Sequence, residues 1–266
     1  MSTENRWSAM AEHRPRKRFG QNFLTRTDII ENIIRTFAPS ASDHVVEIGP
    51  GQGALSFYLA KRVARLDCVE IDRDLAAWLK EKFAQQSQVQ IHQTDALEFQ
   101  ISSIGQQDAA RVIGNLPYNI STPLLFHLLE QKDHIKDMLF MLQKEVVDRI
   151  VASPSNTKDY GRLSVMCQVD CETEHCFDVP PSAFNPQPKV DSAIVRLVPR
   201  KAPLAELKNR KRFNEIVALA FGQRRKMLRR SLKNTVTEAQ FEAAAIDPSL
   251  RPENLQVLDY IRLSNA

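Results

Sequence analysis

The chain has 266 residues, 43% of them hydrophobic, and a formal net charge of +4, enough apolar material for one large domain and a smaller one. No apolar stretch approaches the roughly 18 to 20 residues of a membrane span, and the opening Met1-Ser-Thr-Glu-Asn-Arg6 lacks the apolar core of a secretory signal, so no membrane partner and a cytoplasmic location are expected. Cys68, Cys167, Cys171 and Cys176 are too few for a disulfide framework, and with His175 the last three match no paired-ligand zinc spacing, so reduced thiols and no metal are expected.

In chain order, a basic cluster comes first, Arg14-Pro15-Arg16-Lys17-Arg18, on an otherwise polar arm. From about residue 43, short β-rich apolar runs alternate with helical patterns. Strands are predicted at His44–Ile48, Arg65–Ile71, Val89–His92, Arg111–Gly114 and Asp137–Leu142, with helices at Ala54–Lys61, Leu75–Ala84 and Lys144–Ala152. This alternation implies an α/β fold with an open, mostly parallel sheet and ligands at the strand carboxyl ends. Leu163–Cys171 and Ser192–Val198 read as two further strands, joined by the Pro-rich loop Val179–Val190 and able to pair antiparallel at the sheet edge. Pro199–Pro203 marks a boundary between residues 1–200 and 201–266, and beyond it the pattern is all-α with turn signals at Asn234-Thr235, Asp247-Pro248 and Arg251-Pro252.

The first predicted strand runs into Glu47-Ile48-Gly49-Pro50-Gly51-Gln52-Gly53, and the second ends in the acids Glu70 and Asp72. Glycines let the backbone approach a ligand, and an acid at the end of the second strand can hold two ribose hydroxyls. A dinucleotide site needs Gly-x-Gly-x-x-Gly to bring a pyrophosphate onto a helix N-terminus, whereas this loop reads Gly-x-Gly-x-Gly beside an acid. That suits S-adenosylmethionine, which carries an adenosine and a cationic sulfonium but no phosphate. Asp95, after the third strand, can accept from an adenine amine; its alternative is the N-cap of a helix over Ala96–Phe99.

A fourth strand ends in Asn115-Leu116-Pro117-Tyr118. An exocyclic amine is a weak nucleophile because its lone pair is delocalised into the base, so a methylating site must accept its N–H hydrogens. Asn115 can do so through its side-chain oxygen and the backbone carbonyls around Pro117 through theirs, while the Tyr118 ring stacks on the base. The alternative is a strand, a Pro turn and a half-buried Tyr.

Residues 201–266 hold 13 Lys or Arg against 7 Asp or Glu. The density peaks at Arg224, Arg225, Lys226, Arg229, Arg230 and Lys233, where Arg225, Arg229 and Lys233 would share one helical stripe. Two basic patches on a weakly acidic body suggest a nucleic-acid partner, against the alternative of a merely solvated face.

Assembled, these pieces resemble the ribosomal RNA adenine N6,N6-dimethyltransferases, most closely the bacterial small-subunit (16S), kasugamycin-resistance branch. The match covers nearly the whole chain and includes Lys17–Leu24, the Glu47–Gly51 loop, Gly114–Pro123, Phe140–Val146, Tyr160–Val165 and Phe184–Ser192; Gln52 departs from the aliphatic residue often found there. The resemblance implies a Rossmann-like class I methyltransferase sheet with an antiparallel edge strand, followed by a small C-terminal all-α domain. It implies cofactor contacts from Asn22, Leu24, Gly49, Gly51, Glu70, Asp95 and Asn115, stacking by Tyr118, and Phe184 against the other face of the adenine. By residue type alone, Phe184 reads instead as a loop anchor in the core. RNA contacts are expected from Arg16, Lys17 and Arg18 and from the basic tail. The implied reaction transfers methyl groups to N6 of two adjacent adenosines in a hairpin loop near the 3′ end of 16S rRNA, within the immature small ribosomal subunit, by a monomer. The rivals are a large-subunit rRNA dimethyltransferase and a noncatalytic assembly factor.

Overall fold

Runs of Val, Ile and Leu bounded by turn residues form the strands of the structure, a computed structural model that describes residues 21–104, 109–154 and 158–266. The chain proceeds through β1 (Phe23–Leu24), α1 (Thr27–Phe37), β2 (His44–Ile48), α2 (Ser56–Leu59), β3 (Arg65–Glu70), α3 (Arg73–Lys82), β4 (Val89–Gln93), β5 (Ala110–Asn115), α4 (Ser121–Glu130), β6 (Ile135–Gln143) and α5 (Lys144–Val151). There follow α6 (Arg162–Gln168), β7 (Cys171–Val179), β8 (Phe184–Asn185), β9 (Ser192–Pro199), α7 (Arg210–Gly222), α8 (Leu228–Ser231), α9 (Glu238–Ala243) and α10 (Val257–Asn265).

Seven strands make one sheet in the order β4-β3-β2-β5-β6-β9-β7, and β1 pairs with β8 in a separate antiparallel ribbon. The pairs β2·β3, β3·β4, β2·β5 and β5·β6 are all parallel. Strand order reverses between β2 and β5, so the crevice at their carboxyl ends is where an open α/β sheet binds its ligand. The α1 residues Ile30, Ile33, Ile34 and Phe37, spaced for one helix face, are buried in a core shared with Val45, Leu66, Ile113 and Leu139. Each such side chain contributes about 1.5 to 3 kcal/mol by leaving water.

Two buried charge clusters tie the sheet together. Asp67 of β3 accepts from His44 Nε2 of β2 and His92 Nε2 of β4, each at 2.6 Å, and from Arg65 Nε at 2.7 Å. Burial opposes its ionisation, but these three donors hold the carboxyl far below the usual carboxylate range. Arg111, at the start of β5, donates to both oxygens of Asp137 on β6 (2.7 and 2.8 Å), to Asp43 (2.8 Å), and to the Phe37 and Ala38 carbonyls that end α1 (2.6 and 3.0 Å). Its guanidinium also lies 4.1 Å from the centroid of the Phe37 ring.

The chain divides into two compact units. One comprises the described residues up to Lys144 together with Cys176–Arg196, the other Glu145–His175 and Leu197–Ala266. In the second, Asn209 caps α7 by accepting from the Arg212 N–H at 3.0 Å, and Phe213, Ile216, Val217 and Ala220 form its buried face against α6 and α10.

Four expected elements differ from the structure. Leu163–Cys171 is not a strand: α6 occupies Arg162–Gln168, and the strand is Cys171–Val179. Ser164 Oγ accepts from the Gly161 N–H at 2.9 Å and closes the first turn, and Ser164, Val165, Met166 and Cys167 are all buried. A helix buried around much of its circumference has the same unbroken apolar pattern as a core strand. The helix expected over Ala54–Lys61 is the single turn Ser56–Leu59, and Asp95–Phe99 is a turn without a helix. The stripe Arg225, Arg229, Lys233 is not one helix, because α7 stops at Gly222 and α8 spans only Leu228–Ser231. The N–H groups of Leu228 and Arg229 donate instead to the carbonyls of Leu250 (2.8 Å) and Pro248 (2.9 Å), which ends helical continuity there.

Candidate active site

At the carboxyl ends of β2, β3 and β5 lies a cleft of about 240 Å³. Asn22, Leu24, Gly49, Gly51, Glu70, Asp95 and Asn115 all line it, together with Leu116, Pro117 and Tyr118. The topology explains the convergence: residues dispersed in sequence occupy the ends of strands that are parallel neighbours.

After β2 the backbone turns with positive φ at Gly49, Gly51 and Gly53. At Gly51, φ is +56° and an added Cβ would come within 3.1 Å of the Phe23 ring, so a side chain there would meet both strain and a wall of the cleft. The Gly51 N–H donates to Glu70 Oε2 at 3.0 Å, and the Asp72 N–H donates to Glu70 Oε1 at 2.9 Å. Burial raises the pKa of Glu70, while these two N–H groups act the other way. Each carboxylate oxygen has a second lone pair, so the clamped group can still accept from a diol.

Asp95 is half-buried, and its Oδ1 accepts from the Leu97 N–H at 2.9 Å. Its capping role is therefore real, but it caps a turn, and Oδ2 is left for a ligand. Glu47 also lines the cleft, is 2% exposed, and is pushed up to about 7 by burial, with the neighbouring charge of Glu70 acting in the same sense. The sequence marks Glu47 as an acid beside the glycine loop but not as a site residue; its place at the end of the first strand, two residues before Gly49, is the signal that could have found it. Ile71 and Ala96, which also line the cleft, carry none.

Asn115 ends β5, and its Nδ2 donates to the Asn22 carbonyl at 3.0 Å. A carbonyl can only accept, so this bond orients the amide and leaves Oδ1 as the acceptor for a ligand N–H. The Leu116 N–H is held by the Met141 carbonyl at 3.1 Å. The Pro117 carbonyl accepts from the Ile120 N–H at 3.2 Å and the Tyr118 carbonyl from Ser121 Oγ at 3.2 Å. Those two carbonyls close the turn. Tyr118 is half-buried, and burial raises the pKa of its phenol.

Phe184 does not line the cleft. It is 3% exposed in the core and pairs with Leu24 in the β1·β8 ribbon. The anchor expected from its residue type is where it lies, and it supports the site through Leu24, two residues from Asn22. Arg224, Arg225, Lys226, Arg229, Arg230 and Lys233 belong to the second unit, with all but Arg224 exposed. Arg16, Lys17 and Arg18 lie outside the described residues.

Among the described residues no lysine or arginine lines the cleft, whereas Glu47, Glu70 and Asp95 do. That polarity fits a phosphate-free, cationic nucleoside such as S-adenosylmethionine and does not fit a dinucleotide.

The family described as ribosomal RNA adenine dimethylase matches the chain over residues 12–266. A ribosomal RNA small subunit methyltransferase A from Aromatoleum aromaticum is 53% identical over 256 residues, covering 96% of this chain and 95% of that protein. The protein of the same name from Pseudomonas aeruginosa is 51% identical over 259 residues, covering 97% and 96%. Among solved structures, a dimethyladenosine transferase from Plasmodium falciparum superposes with a TM-score of 0.79 at 25% identity, covering 91% of this chain and 95% of that one. The 23S rRNA methyltransferase ErmE superposes at 0.70 with 29% identity, covering 92% and 98%.

Proposed function

The chain belongs to the ribosomal RNA adenine dimethylase family, and from that membership we propose how its cleft carries out the reaction and which RNA it acts on. The protein is an S-adenosylmethionine-dependent methyltransferase of adenine in ribosomal RNA. When bound, the cofactor would supply a methyl group made electrophilic by its sulfonium, the carbon–nitrogen bond to the target amine forming in line as the carbon–sulfur bond breaks and a neutral thioether leaves.

The observation that carries the reading is the orientation of Asn115 by the Asn22 carbonyl. Asn115 Oδ1 and the Leu116 carbonyl accept the two N–H hydrogens of the target amine. As the nitrogen attacks it gains positive charge, which these two oxygens stabilise. The Tyr118 ring stacks on the base, which must be unpaired or flipped out to reach it. The proton leaves to solvent from a nitrogen that is only weakly basic once transfer is complete, so no histidine or other dedicated base is required. For the cofactor, Glu70 holds the ribose diol, Asp95 the adenine amine, and Asn22, Leu24, Gly49 and Gly51 the walls.

The substrate we propose is a pair of adjacent adenosines in a hairpin loop near the 3′ end of 16S rRNA, presented by the immature small subunit to a cytoplasmic monomer. Full-length relatives named for the small subunit, at 51 to 53% identity, favour it over the large-subunit RNA of ErmE, at 29%. Residues 1–200 would carry the methyltransferase chemistry. Residues 201–266, with Arg16, Lys17 and Arg18, would contact RNA phosphates, which position the substrate without reading its sequence.

The test is methyl incorporation by wild type and Asn115→Ala into undermethylated small subunits and into large-subunit RNA. We expect incorporation into the small subunit alone, and a loss of about 10²- to 10³-fold in kcat for a folded Asn115→Ala protein. Near wild-type single-turnover rates in that variant would sink the mechanism, and methylation of large-subunit RNA would sink the substrate.

A further inference from the structure

Ser192 is the last residue of the Phe184–Ser192 segment and the first of β9, and it is fully buried. Its Oγ lies 2.7 Å from the Tyr118 hydroxyl, 74 residues earlier in the chain. The strand that carries it is fixed just beforehand, because the Asp191 carbonyl accepts from the Lys144 N–H at 2.9 Å. Tyr118 is thus held at both ends, its backbone carbonyl by Ser121 Oγ and its phenol by Ser192 Oγ.

A stacking platform helps only if it is in place before the base arrives, since a ring that swings about χ1 must be ordered during the reaction. The phenol oxygen lies on the ring's long axis, so a hydrogen bond at that tip fixes where the axis points, which χ1 sets, and keeps the ring from swinging away from the cleft. Phenylalanine would present the same π surface, so stacking alone does not account for the hydroxyl. Among the described residues the hydrogen bond found for that hydroxyl is the one to Ser192.

We infer that Ser192 is a positioning residue for methyl transfer, holding the long axis of the Tyr118 ring in place through the phenol. This rests on the stacking role given to Tyr118 above. The contribution belongs to geometry in the transfer step, so it acts on kcat and leaves cofactor affinity alone.

The experiment measures single-turnover transfer into the RNA particle that the wild type methylates, together with the Kd for S-adenosylmethionine. The proteins are Ser192→Ala, Ser192→Thr, Tyr118→Phe, the Ser192→Ala/Tyr118→Phe double variant, and Tyr118→Ala. Losing one hydrogen bond corresponds to a rate loss of about five- to tenfold, so Ser192→Ala and Tyr118→Phe should each fall by that factor. The double variant should be no slower than either single, the Kd unchanged, and Ser192→Thr, which keeps the hydroxyl, faster than Ser192→Ala. A double-variant loss equal to the product of the singles overturns the inference. So does a wild-type rate in Ser192→Ala beside a collapsed rate in Tyr118→Ala, which leaves the stacking role standing. Undiminished transfer by Tyr118→Ala overturns that role and the inference with it. Should Ser192→Ala fail to fold, Tyr118→Phe removes the same bond from the other side, and a wild-type rate there is equally decisive against it.

Discussion

Glu47 shows how burial sets chemistry at a single residue. With its pKa near 7 against an ordinary 4.5, the folded protein keeps a proton that the unfolded chain releases between those values. Stability from this group is therefore full below about pH 4.5, falls as pH rises toward 7, and is flat above. A cationic ligand in the same cleft favours the carboxylate, so its binding should strengthen as pH rises through 7. Calorimetric titration should find S-adenosylmethionine binding about tenfold tighter at pH 8 than at pH 6, with a weaker trend for S-adenosylhomocysteine, whose sulfur is neutral. Glu47→Gln should flatten the S-adenosylmethionine profile, and an unchanged slope in that variant would remove Glu47 from cofactor binding. The acceptor chemistry of Asn115 is legible in residue types and spacing alone. Its orientation by a carbonyl 93 residues away is not, since no local pattern encodes a bond between the N-terminal segment and the end of β5.

At the scale of elements, β2 and β5 meet so closely that one position in their pairing admits only glycine. Gly114 lies opposite Ile48, and an added Cβ would sit 2.5 Å from the Ile48 carbonyl oxygen, a backbone atom that cannot swing aside. Gly114→Ala should therefore lower stability by about 3 kcal/mol or more, read as a fall in thermal midpoint, with cofactor affinity weakened because the same strand ends in Asn115. A thermal midpoint within a degree of wild type would show that the strands can part there. The strands of this parallel core are readable as short β-branched runs closed by turn residues, and β2 begins and ends where the sequence places it. Elements whose form is decided by distant partners are not. α6 has a strand-like composition, and Phe184 has a motif's position but lies in the core.

For the whole molecule, the excess positive charge of residues 201–266 is visible by counting, while its arrangement depends on tertiary hydrogen bonds that divide the expected helix. Arg225 and Lys233 are exposed, whereas Arg229 Nε lies 3.0 Å from Glu238 Oε1 and shares its charge. If this tail meets RNA phosphates, removing Arg225 and Lys233 should reduce the slope of log binding constant against log salt by about 1 to 2, while Arg229→Ala changes it less. Filter binding across a salt series measures this, and S-adenosylmethionine affinity should stay constant throughout. An unaltered slope in the double variant would assign the RNA contacts elsewhere.

The clamp around Arg111 gives β5 the character of a ruler. One end is bolted to α1 and β6, and four residues further on, about 13 Å along an extended chain, stands Asn115. Because side chains alternate across a sheet, four steps return the amide to the face from which the arginine was fixed. Deleting any one residue between them would shorten the reach by a single step and also turn the amide to the opposite face. The length of this strand is thus as much a part of the catalytic apparatus as the residue at its tip.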